Sequence, residues 1–135
     1  MEARFLLDTN ICIYIRRQQP AQVMARFQRL KVGEAALSVV SYGELIYGAE
    51  KSPTQARAFR ELDEIASLLQ VLPLPTAAAH MYGIIRAALE VKGEMIGSND
   101  AWIAAHAKAT DLVLVTNNER EFKRVAGLKI ENWIA

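Results

Sequence analysis

Four acidic side chains stand where carboxylates can do chemistry: Asp8, Glu44, Asp100 and Glu121. Asp8 follows directly on the apolar run Phe5-Leu6-Leu7 and is itself followed by a hydroxyl and an amide, Thr9 and Asn10. Glu44 comes shortly after the apolar residues 36–40. Asp100 follows Asn99 at the head of the apolar segment 102–107. Glu121 comes after Thr116-Asn117-Asn118, which trails the apolar run 112–115. Carboxylates crowded into one cleft repel one another and do not all ionise unless a cation is present. Hard divalent ions take oxygen ligands, and Mg²⁺ keeps several waters alongside one or two carboxylates. Such an ion activates a water and stabilises charge developing on a phosphate. These residue types therefore point to metal-assisted cleavage of a phosphodiester by a hard divalent ion such as Mg²⁺. Thr9, Asn10, Asn99, Thr116 and Asn117 are placed to orient the carboxylates or their waters.

The same positions admit a quieter reading as helix caps. Asp8 is a preferred N-cap residue. Ser41-x-x-Glu44 and Thr116-x-x-Glu119 have the spacing of capping boxes. Ser98 can cap a helix whose first turn holds Asp100, where a negative charge suits the helix dipole. Caps alone do not account for Asp-Thr-Asn directly behind a buried strand together with an Asn-Asp pair opening an apolar helix, and one residue can cap and bind a metal at once.

The elements that must position these groups alternate between strand and helix. Residues 5–7 read as a strand buried on both faces, and 36–40 and 112–115 as further core strands. Residues 71–72 and 129–131 read as brief strands. Between them the sequence predicts a helix over 10–18, a second opened by Pro20 and stopped near Gly33, one beginning near Ser41 and one opened by Pro53. Further helices are predicted over 76–92 and from 98 to 110, with a helical turn through Phe122. Alternation of this kind implies α/β architecture: a parallel sheet covered on both faces. In such sheets strand ends and helix starts share one edge, where ligand sites collect, so all four carboxylates can converge there.

Composition narrows the classes. The chain of 135 residues suits one domain spanning 1–135, and 52% hydrophobic with 23% charged residues is a folding, not a disordered, composition. A formal net charge of +1 provides no global field for nucleic acid. Any such role needs a local basic patch, and Arg16, Arg17, Arg26, Arg29 and Lys31 offer one on the first two helices. The single cysteine, Cys12, excludes an internal disulfide and a zinc cluster and reads as a small buried apolar residue. His80 and His106 lack neighbouring ligand pairs and read as structural or surface residues. No apolar run approaches the roughly 20 residues of a membrane span, and no signal peptide is expected from the N-terminus; a cytoplasmic location is the expectation. Tyr14, Met24, Phe27 and Ile46 either complete the core or line a groove for a partner peptide or second subunit.

The motifs resemble those of the PIN-domain ribonucleases, and more closely the VapC toxins of bacterial toxin–antitoxin pairs. Residues 5–10 match the opening motif, 44–52 the second, 99–107 the third, 114–122 the fourth and 127–133 the characteristic ending, in order along nearly the whole chain. The resemblance implies a three-layer α/β/α sandwich with a mainly parallel central sheet and Mg²⁺- or Mn²⁺-dependent endoribonuclease activity. It also implies homodimerisation and inhibition by a VapB-type antitoxin in a hetero-oligomer. By the same likeness Asp8 and Asp100 are the direct metal ligands, Glu44 completes the acidic triad, and the substrate is a tRNA cut in its anticodon loop. One departure stands out: many relatives carry an aspartate where this chain has Asn118, and Glu121 is placed to supply the missing charge.

Other classes are less well served. A haloacid-dehalogenase-type phosphatase needs a second aspartate two residues after Asp8, where Asn10 stands. A receiver domain needs a late lysine at a strand end, where Thr116 follows Val115. A PIN-like RNA- or protein-binding module without turnover would not need Asp8, Glu44 and Asp100 together.

Overall fold

Three consecutive apolar residues leave β1 (Phe5–Leu7) nowhere to go but the middle of a sheet, and the computed structural model, which describes residues 2–134, places it there. Along the chain follow α1 (Thr9–Arg17), α2 (Ala21–Gln28), β2 (Ala35–Ser38), α3 (Val39–Glu50), α4 (Gln55–Leu68) and β3 (Gln70–Leu72). The rest comprises α5 (Thr76–Lys92), α6 (Ser98–Thr110), β4 (Val113–Val115), α7 (Glu119–Phe122) and β5 (Ile130–Glu131). The sheet order is β3-β2-β1-β4-β5, and every pairing is parallel. The order reverses between β1 and β4, which makes the crevice beyond their carboxyl ends the topological switch point.

Side chains alternate across the sheet with period two, and the two faces bury separate clusters. Phe5, Leu7, Leu37 and Val115 pack on one side with Ile11 and Ile15 of α1, Leu62 and Ile65 of α4, and Trp133. Leu6 and Leu114 pack on the other with Ile85 and Leu89 of α5, Ile103 of α6 and Phe122 of α7. The result is the α/β/α sandwich expected. Trp133 closes the first cluster edge-on against Phe5, with ring centroids 5.8 Å apart. Cys12 is fully buried, as its apolar character suggests. Tyr14, Met24, Phe27 and Ile46 are partly buried against the first cluster. No helix among the described residues is long and apolar enough to cross a membrane.

Two boundaries, the ends of β2 and α2, and two caps, Ser41 and Ser98, differ from expectation. β2 ends at Ser38 rather than at residue 40, because the Ser38 hydroxyl accepts from the Val40 N–H (3.1 Å) and starts α3 early. The Ser41–Glu44 capping box therefore does not exist: Ser41 lies inside α3 and is fully buried, with no partner for its hydroxyl among the described residues. α6 is likewise preceded by Gly97 in extended conformation, so Ser98 is its first residue and caps nothing. α2 stops at Gln28, short of Gly33.

Candidate active site

Asp8 is set by both strands of the switch point. Its N–H donates to the Val115 carbonyl (2.9 Å), continuing the β1–β4 ladder by one bond. Its Oδ1 accepts from the Thr9 N–H (2.8 Å), the N-cap bond of α1, and its Oδ2 accepts from the Thr116 hydroxyl (2.8 Å). Asp8 is thus a cap and a site residue together. Thr116 is fully buried and its Oγ1 in turn accepts from the Asn118 N–H (3.0 Å). The Thr116–Glu119 box is absent in consequence, because the hydroxyl is spent on Asp8 and on the turn, and Glu119 accepts instead from Asn132 (3.1 Å).

The other carboxylates reach the same edge. Glu44 Oε1 accepts from the Thr9 hydroxyl (2.7 Å), which ties α3 to the start of α1. Asp100, half-buried, stands in the first turn of α6. Glu121 Oε2 accepts from the Asn118 side-chain amide (2.9 Å), which holds Glu121 in place. Burial pushes the Asp8 carboxyl above its usual range against the lowering effect of its Thr116 and Thr9 bonds, and the charges of Glu44 and Glu121 push it further. Burial raises Asp100 to about 7, helped by the charge of Asp8, a hydrogen bond with Glu121, and the charges of Glu121 and Glu44. The four carboxylates therefore feel one another in a single crevice, as mutual repulsion in a partly dry site requires.

The donor set is all oxygen. Cys12, one turn along α1 from Asp8, is fully buried, with its thiol against the Leu7 carbonyl and its pKa raised by burial and by the Asp8 charge; His106 is buried in α6, and His80 is exposed on α5. An oxygen-only site whose burial, with its neighbouring charges, raises Asp100 to about 7 suits a hard cation that would displace the Asp100 proton. No group of three His, Cys, Asp or Glu side chains among the described residues forms a ready-made ion cage, and Mg²⁺ does not need one when waters fill most of its shell.

Of the five groups expected to orient carboxylates, Thr9 and Thr116 do so. Asn10 and Asn99 are exposed with no side-chain hydrogen bond among the described residues. Asn117 turns to the Tyr14 hydroxyl (3.0 Å) rather than to a carboxylate. The basic rim also divides. Arg16 and Arg17 line a cleft of about 830 Å³ that opens beside Thr9 and Glu44 and runs between α1, α3 and α4. Arg26 instead pairs with Glu131 (2.6 Å) and lies over the Trp133 ring. Sequence reasoning missed Arg57 and Glu61, which complete the cleft wall. Glu61 holds Arg57 at 3.2 Å and Arg16 at 3.5 Å, and the Arg57–Glu61 spacing of four was the available signal.

A parallel sheet with carboxylates gathered at its switch point defines the α/β class with a ligand site at the strand ends, and comparison with known proteins narrows it. A PIN domain model matches residues 5–128. The chain is 45% identical to the "tRNA(fMet)-specific endonuclease VapC" of Shigella flexneri, covering 96% of this chain and 98% of that protein. It is 42% identical to "Ribonuclease VapC2" of Haemophilus influenzae, covering 97% and 98%. Among solved structures, the DNA-bound VapBC complex from Salmonella typhimurium contains a chain that superposes with a TM-score of 0.91 at 43% identity, covering 97% of this chain and 98% of that one. The chain belongs to the PIN-domain family, on its VapC ribonuclease branch. The phosphatase alternative falls with this finding, and Asn10, exposed and unengaged, agrees.

Proposed function

We propose that this chain is the toxin of a type II toxin–antitoxin pair, a divalent-metal-dependent endoribonuclease working in the cytoplasm. The observation that carries the reading is the gathering of Asp8, Glu44, Asp100 and Glu121 at one edge, where burial first and then the neighbouring carboxylates raise Asp100 to about 7. Asp8 and Asp100 would hold Mg²⁺ or Mn²⁺, with Glu44 and Glu121 facing them. Bound there, the ion supplies a water of lowered pKa and stabilises charge on the scissile phosphate. Thr116 and Thr9 fix the Asp8 and Glu44 carboxylates so that no reorganisation is needed as charge develops. Arg16, Arg17 and Arg57 offer cationic groups in the neighbouring cleft, which offset the repulsion between an acidic site and an RNA backbone.

The name of one relative supports a tRNA substrate, and the VapBC complexes support a VapB-type antitoxin; cleavage in the anticodon loop and a homodimer within a larger assembly are what the resemblance of the motifs implies. Purified protein should cut tRNA in Mg²⁺ or Mn²⁺ and stop when EDTA is added. Sequencing of the RNA ends should place the cuts in the anticodon loop. Cutting at full rate in EDTA would reject the metal-dependent mechanism, and ends scattered over unrelated RNAs would reject the substrate.

A further inference from the structure

Fully buried in α6, His106 faces a serine rather than a ligand. Its Nδ1 lies 2.7 Å from Ser38 Oγ. That oxygen also accepts from the Val40 N–H, so the serine hydroxyl joins the imidazole of α6 to the first turn of α3. Nε2 has no partner among the described residues, and neither has the hydroxyl of Ser41 one turn further along α3. Two unpaired buried polar groups cost stability that an apolar contact would not.

The surrounding surface explains what the hydrogen bond adds. α6 is buried on all sides through Ala101, Ile103, Ala104, Ala105, His106 and Ala107. A helix face made mostly of methyl groups packs closely but interdigitates little, so shape alone specifies its axial position weakly. Among the described residues, His106–Ser38 is the one side-chain hydrogen bond between α6 and the β2–α3 segment. Each member lies six positions along the chain from a carboxylate: Asp100 precedes His106 within α6, and Glu44 of α3 follows Ser38, the residue that caps that helix.

We propose that the buried His106–Ser38 hydrogen bond is a positioning device for the active site, fixing α6 against the start of α3 so that Asp100 and Glu44 meet across the crevice. His106 touches no reacting atom and acts through Asp100. The proposal rests on the metal-dependent nuclease reading for its kinetic consequence but not for its geometric one.

The test compares His106→Leu and Ser38→Ala with His106→Asn, whose Oδ1 can still accept the Ser38 hydroxyl. The readouts are Mn²⁺ affinity by calorimetry, kcat and KM for tRNA cutting, thermal unfolding, and the titration midpoint of Asp100 followed by carboxyl NMR in metal-free protein. The expected result for His106→Leu and Ser38→Ala is Mn²⁺ binding and kcat each weakened about tenfold, KM little changed, and a shifted Asp100 midpoint. His106→Asn should recover most of each loss. Should one of the two disruptive variants fail to fold, the other decides. Folded variants with wild-type Mn²⁺ affinity, kcat and Asp100 midpoint would overturn the proposal, as would a loss that tracks thermal stability alone and is equal in His106→Asn. If the unaltered protein neither binds Mn²⁺ nor cuts tRNA, the nuclease reading fails instead, and the Asp100 midpoint alone judges the positioning.

Discussion

The Thr116 hydroxyl donates to Asp8 Oδ2 at 2.8 Å, joining the ends of the two strands that flank the switch point. This bond makes the deeper carboxylate of the crevice an oriented acceptor, and its loss would leave Asp8 buried with one oxygen unsatisfied. Thr116→Val keeps the shape and removes the donor. Metal affinity and kcat should each fall by about 10–100-fold, while Thr116→Ser should retain most of both. Calorimetric Mn²⁺ titration alongside tRNA cleavage checks this, and equal activity in Thr116→Val would deny the bond its role.

Asp100 predicts a stability signature. Its carboxyl titrates at about 7 in the fold and near 3.9 in an unfolded chain. A raised pKa means that the folded state binds the proton more tightly. Its contribution is therefore fully present below about pH 4 and is lost as pH rises through 7. Above that pH the ionised group is a burden on the metal-free fold. Asp100→Asn should stabilise metal-free protein at pH 8 by about 1–2 kcal/mol, after discounting for solvent at a half-exposed group, and the gain should vanish near pH 4. Melting curves at the two pH values settle it; an equal effect at both would show that charge is not the cause.

Asn118 carries a second electrostatic prediction. Its amide now donates to Glu121. Asn118→Asp replaces that donor with another negative charge in a crevice that already strains to hold four. Metal-free Asn118→Asp should melt lower than wild type at pH 8, and saturating Mn²⁺ should narrow the gap, because a cation relieves like-charge repulsion. A gap unchanged by Mn²⁺ would place residue 118 outside the ion's field.

Trp133 tests the sandwich itself. It is 1% exposed and packs edge-on against Phe5 of the central strand. Trp133→Ala should cost about 3–5 kcal/mol of stability, measured by urea unfolding. A cost under 1 kcal/mol would mean that the ending of the chain is not part of the core.

The sandwich was legible because runs such as Phe5-Leu6-Leu7 and Val113-Leu114-Val115 are apolar on both faces, which only a covered parallel sheet can use. The placing of the carboxylates was legible for a related reason: Asp8 follows a strand end, Asp100 and Glu121 stand in the first turn of a helix, and Glu44 lies in the second turn of the helix behind β2. What was not legible is which polar neighbour serves which carboxylate. Ser41 and Thr116 have cap spacing, yet Ser38 takes the cap in one case and Asp8 takes the hydroxyl in the other, because hydroxyl partners are chosen by tertiary contact rather than local spacing. Asn10, Asn99 and Asn117 carry plausible chemistry but face solvent or Tyr14. The role of His106 was also hidden, since its partner Ser38 lies 68 positions away.

The central claim is that Asp8 and Asp100 jointly hold the ion on which RNA cutting depends. The most direct measurement is Mn²⁺ binding and tRNA cleavage by folded Asp8→Asn and Asp100→Asn, each compared with wild type at pH 7.5. The account predicts that both variants keep the fold, lose Mn²⁺ affinity by at least about tenfold and lose detectable cutting. Either variant cutting tRNA at the wild-type rate, or binding Mn²⁺ as tightly as wild type, would contradict it.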